Sequence, residues 1–136
     1  MNRKILIVTD NSDQMRKLAA KITAVIMNPP FEQYSVTETA AENFSAEVLL
    51  PAPIFFLGCQ SKESFSNPYI ETLFTHINLA GRTCGIFSAN TQAVKYLKTL
   101  VRDTGVTAGK PLLVHDDTID DTELQNWVQG IVQTVC

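Results

Sequence analysis

The run Ile5-Leu6-Ile7-Val8 near the start of the chain is apolar without alternation and gives way to Thr9 and Asp10. Such a run predicts a strand covered on both faces, as in a parallel sheet, here Lys4 to Thr9. Beyond a short polar turn, Met15, Leu18, Ile22, Val25 and Ile26 recur at helical spacing and form one apolar stripe. Asn28-Pro29-Pro30 stops that helix, because proline cannot continue it and restricts the residue before it. Gln33 to Thr37 (QYSVT) has the β-branched and aromatic members of an edge strand. Phe44, Val48 and Leu49 suit a short helix before the next strand.

The second half repeats the alternation more clearly. Ile54 to Leu57 (IFFL) is a wholly apolar strand ended by Gly58-Cys59, and a polar loop runs from Gln60 to Ser66. Asn67-Pro68 is a helix start, with Asn at the cap and Pro at the first helical position. Ile70, Leu73, Phe74 and Ile77 form that helix's buried face, and Leu79-Ala80-Gly81 ends it. A fourth strand is expected at Thr83 to Phe87. The helix after it begins near Asn90, with Ala93, Val94, Leu97, Leu100 and Val101 inward and Gly105 at its end. A fifth strand is expected at Leu112 to His115. Asp120 and Glu123 read as a capping box for a last helix whose apolar side is Leu124, Trp127, Val128 and Ile131. Strands alternating with helices imply parallel βαβ units with right-handed crossovers, hence a three-layer α/β sandwich around a five-stranded sheet.

Composition narrows the class without naming an activity. The 136 residues predict a single domain, 1–136, able to bury a core without disulfide or metal staples. Apolar residues make up 45% and charged residues 18%, which excludes a disordered chain. A net charge of -3 offers no basic field, so no nucleic-acid partner is expected. The first apolar run is too short for a signal peptide, and no stretch approaches the roughly 20 residues of a membrane span. Cys59, Cys84 and Cys136 show no metal-type spacing. A reduced, cytoplasmic protein with no membrane partner is the expectation. Oligomeric state is not assigned.

Taken together, these elements resemble the flavodoxin-like family over nearly the whole chain. The resemblance rests on the first strand and helix with the turn between them, and on Ile54 to Ser61 as the third strand and its loop. It rests also on Leu79-Ala80-Gly81-Arg82 leading into Cys84-Gly85-Ile86-Phe87-Ser88, and on Lys110-Pro111-Leu112-Leu113-Val114. It implies strand order 2-1-3-4-5 with FMN bound where strands 1 and 3 diverge. FMN-linked electron transfer to a redox protein partner is then the leading functional expectation, an electron carrier rather than an enzyme. The alternative is a flavodoxin-like domain that has lost FMN and acts as a partner-binding or regulatory module.

The resemblance also assigns a site. Asp10, Asn11, Ser12, Asp13, Gln14 and Met15 match the phosphate turn, where backbone N–H groups at a helix N-terminus face the anion. In the family this turn commonly runs S/T-x-T-G-x-T, so Asp13 stands at its glycine and Met15 at its last threonine. Asp10 and Asp13 would bring carboxylates beside a phosphate dianion, and the same residues equally suit a plain helix cap. Cys59, Gln60 and Ser61 match the second loop, and Ser88, Ala89 and Asn90 the third. Phe65, with Tyr69, would offer a stacking face for the isoalloxazine, or would simply cover the core. Asn90 would present its amide to a ring edge, or cap a helix.

Three further groups stand outside that frame. Cys59 is a candidate reactive thiol with Lys62 nearby, or a small apolar filler at a strand end. His115-Asp116-Asp117 is a sparse metal-ligand set without converging partners. His76 reads as a surface residue. A phospho-accepting receiver domain is excluded, because Gly58-Cys59 stands where its aspartate is needed. No G-x-G-x-x-G or Walker-type loop occurs, which excludes nicotinamide-type and P-loop enzymes.

Overall fold

The computed structural model describes residues 3–27, 34–65, 68–114 and 119–133. Strand β1 (Arg3–Thr9) is followed by helix α1 (Asp13–Ile26), β2 (Tyr34–Ala40), a 3-10 turn (Ala41–Asn43), the short α2 (Ala46–Leu49) and β3 (Ile54–Gly58). Then come α3 (Lys62–Phe65), α4 (Pro68–His76), β4 (Thr83–Ser88), α5 (Thr91–Val101), a 3-10 turn (Arg102–Thr104), β5 (Thr107–Ala108), β6 (Leu112–Leu113) and α6 (Asp121–Gln133). All pairings are parallel, in the expected order β2-β1-β3-β4-β5.

The two faces of the sheet carry two separate cores, as period-2 side-chain alternation requires. Ile5, Ile7, Ile54, Phe56 and Phe87 face α1 and α6, where Met15, Leu18, Ile22, Val128 and Ile131 close over them. Leu6, Val8, Phe55, Leu57, Cys84 and Ile86 face α2 to α5, packing on Leu49, Phe65, Phe74 and Leu97. Both faces are covered, which is why the centres of β1 and β3 read as unbroken apolar runs and every residue of β4 is buried. Trp127 anchors α6 as expected. Its ring lies 5.5 Å from that of Phe56 and 6.4 Å from that of Phe87. Its indole N–H donates to the Lys110 carbonyl at 2.7 Å.

The fifth strand position differs from the expectation. It is split in two, with Ala108 opposite Cys84 and Leu112 opposite Phe87. Three residues, 109–111, therefore face two of β4, a bulge that leaves a short sixth strand as an addition. The Gly109 amide still donates to the Cys84 carbonyl at 3.1 Å. Pro111 has no N–H for the ladder, which explains why pairing stops there. A Cβ at Gly109 would stand 2.3 Å from Cδ1 of Ile131, so a larger residue there would force the end of that α6 side chain to move. The ladder resumes through Val114, whose amide donates to the Ser88 carbonyl at 2.8 Å.

Other differences are local. β2 runs on to Ala40, and the loop after β3 contains the helical turn α3. The capping box is seen in one half, Asp120 Oδ1 accepting from the Thr122 amide at 3.2 Å. The expectations at Asn28-Pro29-Pro30, Asn67, His115-Asp116-Asp117 and Cys136 lie outside the described residues.

Candidate functional site

The C-terminal ends of β1, β3 and β4 bring the three expected loops to one edge of the sheet, since all strands are parallel. The first loop turns sharply at Asn11, whose φ of 66° lies in the left-handed region that Asn tolerates. The Asn11 amide donates to the Thr9 hydroxyl at 3.2 Å. That turn points Asp10 back across the loop. One oxygen of its carboxylate accepts from the Ser12 amide at 3.0 Å and from the Ser12 hydroxyl at 2.7 Å. The other accepts from the Gln60 amide at 2.7 Å. Asp10 thus ties the first loop to the second. Gln60 Nε2 adds a bond to Gln14 Oε1 at 3.2 Å, and the Asp10 amide donates to the Gly58 carbonyl at 3.2 Å.

Ser88 ties the second loop to the third. Its buried hydroxyl donates to the Cys59 carbonyl at 2.5 Å and accepts from the Asn90 amide at 3.0 Å. Asn90 caps α5, accepting from the Gln92 amide at 2.8 Å. Among the described residues, no buried side-chain polar atom lacks a partner. Hydrogen bonds of the chain itself join the three loops.

The candidate residues separate into two groups. Asp10, Asn11, Ser12, Gln14, Gln60, Ser61, Ser88, Ala89 and Asn90 are at the edge. Met15, Cys59 and Phe65 are 0%, 0% and 1% exposed and belong to the core. Phe65 therefore has no free ring face for a flavin: the turn of α3 that carries it folds onto the α2–α5 side of the sheet. Tyr69 is exposed, and its hydroxyl accepts from the Ala46 amide at 3.3 Å, at the start of α2. Asp13 points outward and pairs with Arg16 one turn along α1.

The Cys59 thiol is buried at the end of β3. Burial, and secondarily the charge of Asp10, push its pKa from about 9.0 up to about 12. Burial alone pushes Cys84 up as well. The Lys62 side chain lies outside the described residues. A thiol reagent at pH 8 should leave Cys59 and Cys84 unmodified in the native protein and react with both in denaturant, as read by peptide mapping. Rapid native-state labelling of Cys59 would show that the crevice opens to the thiol.

One opening was not read from the sequence. A groove of about 450 Å³ lies between the second loop and α5, lined by Ser61, Glu63, Asn90, Gln92, Lys95 and Tyr96 among others. The signal for it was a polar face of α5, Gln92, Lys95, Tyr96 and Thr99 at helical spacing, which looks like any solvated helix face. Among the described residues, no group of three or more His, Cys, Asp or Glu could hold a metal ion. None of their helices is long and apolar enough to cross a membrane.

Comparison with solved structures fits this arrangement. A short-chain flavodoxin associated with a bacterial microcompartment matches at TM-score 0.68 and 15% identity, over 100% of both chains. The flavodoxin of Streptococcus pneumoniae TIGR4 matches at TM-score 0.74 and 14% identity, over 97% of this chain and 99% of that one. Oxidised flavodoxin 2 from Bacillus cereus matches at TM-score 0.74 and 20% identity, over 96% and 99%. The chain has a flavodoxin-like fold. No protein-family model and no curated protein sequence matches it.

The fold family implies FMN, and the residues of the first loop do not fit its phosphate. The Ser12 amide and hydroxyl, donors of that loop, and the Gln60 amide of the second loop converge on Asp10. A phosphate oxygen at those donors would stand within about 4 Å of a carboxylate. Two unit charges at that distance repel by about 4 kcal/mol at an effective dielectric of 20, roughly a thousandfold in affinity. Loss of the family glycine at Asp13 and inward packing of Met15 remove two further adaptations to the ligand.

Proposed function

We propose that this chain is a flavodoxin-like domain that works without tightly bound FMN, as a partner-binding or regulatory module. The observation that carries this reading is the Asp10 carboxylate, held by the Ser12 and Gln60 amides where the fold would seat a phosphate. Fold by itself does not assign chemistry, so the site outweighs the likeness. A reducing compartment such as the cytoplasm suits the buried free thiols of Cys59 and Cys84.

The likeness to flavodoxins over 96–100% of the chain favours a second reading, FMN-linked electron transfer with a redox protein partner. In that case the flavin would supply the redox chemistry and the protein would tune it. A visible absorption spectrum of the purified protein, followed by FMN titration, decides between the two. The expected result is no flavin band and no saturation at roughly 1 mM FMN, a regime worth only about -4 kcal/mol. Micromolar or tighter binding would establish the second reading instead.

A further inference from the structure

We infer that the Asp10 carboxylate is the main electrostatic block to phosphate binding: it occupies the Ser12 donors of the first loop, together with the Gln60 amide, in place of a phosphomonoester. This inference deepens the reading above and concerns the same loop. The donors come from two segments 50 residues apart, Ser12 on the first loop and Gln60 on the second, and both converge on one side chain. Contacts other than those to Asp10 also shape the two loops. The first loop is shaped by the left-handed Asn11 and the Asn11 amide bond to Thr9. The second is held by the β3 register and by Ser88 bonding the Cys59 carbonyl.

A carboxylate and a phosphate oxygen satisfy such donors in the same way, as charged acceptors. The difference is that Asp10 is covalently present. An oriented internal group competes at an effective concentration far above that of any free ligand. The pair Asp13–Arg16 is turned outward and largely self-neutralised, so Asp10 supplies the local negative charge at these donors.

Asp10→Ser removes the charge and shortens the side chain, leaving the donors to an external anion. The experiment titrates FMN and riboflavin, which lacks the phosphate, into the wild type, Asp10→Ser and Asp10→Asn. Fluorescence quenching of the flavin and ligand-induced change in melting temperature are the readouts. The expected result is a gain of roughly a hundredfold to a thousandfold in FMN affinity for Asp10→Ser over the wild type, no matching gain for riboflavin, and competition by inorganic phosphate. Asp10→Asn, which keeps an acceptor oxygen but not the charge, should fall between.

Equal gains for FMN and riboflavin would overturn the inference, because a general loosening of the crevice would then explain them. So would the absence of any gain in folded variants. If Asp10→Ser fails to fold, the Asp10→Asn titration decides alone. Tight FMN binding by the wild type would overturn the proposed function. The ratio between variant and wild type tests only the block.

Discussion

Phe56→Ala is expected to lower the melting temperature by roughly 10–20 °C. Phe56 is fully buried at the centre of β3, opposite Ile7 of β1 and Gly85 of β4. Its ring lies over Gly85, where a Cβ would stand 2.6 Å from the ring, and against the Trp127 indole. Gly85 has no side chain to fill the space, and Trp127 is tied to the Lys110 carbonyl. Removing a buried phenyl from such a site costs about 3–5 kcal/mol. For a domain of this size each kcal/mol moves the midpoint by roughly 3–5 °C. Trp127 is the only tryptophan, so its emission should shift to the red in the folded variant. A thermal melt displaced by less than about 3 °C would show that α6 repacks over the sheet.

Gly58→Ala should produce the second largest loss, about 2–3 kcal/mol, and should act on the crevice as well as on stability. A Cβ at Gly58 would stand 2.2 Å from Cε2 and 2.3 Å from Cζ of Phe87. Phe87 is fully buried and edge-on to Trp127, so its ring cannot swing into solvent. The end of β3 must shift instead. Gly58 accepts from the Asp10 amide, and Gln60 two residues on donates to the Asp10 carboxylate. A displaced strand end would therefore loosen the join between the first two loops. Combining Gly58→Ala with Phe87→Leu should recover part of the loss, a coupling that a double-mutant cycle reads directly. A single variant as stable as the wild type, or a pair whose effects simply add, would rule out the ring contact as the cause.

Much of the architecture was legible because it is written in short-range pattern. Ile5 to Val8 and Ile54 to Leu57 are apolar at successive positions, as suits a strand buried on both faces. Met15 to Ile26 and Ala93 to Val101 repeat at helical spacing, and each makes the buried face that spacing implies. The fifth strand was harder to read. Its split into two short pieces, Ala108 opposite Cys84 and Leu112 opposite Phe87, has no periodic signal in so short a stretch.

The site was less legible than the fold, and the reason is the range of its interactions. By itself the sequence determined the strand–helix alternation, the edge at which three loops gather, and the identity of the residues in them. It placed Phe65 and Asp10 in those loops but could not say which way either side chain would turn. Tertiary structure decided both. Phe65 went to the core because α3 folds onto the apolar face shared with Phe55 and Leu57. Asp10 turned inward because parallel pairing of β1 with β3 brings the Gln60 amide, 50 residues away, within 2.7 Å of its carboxylate. Periodicity records which face of an element is buried, whereas the partner of a polar side chain is set by what the completed sheet brings alongside it.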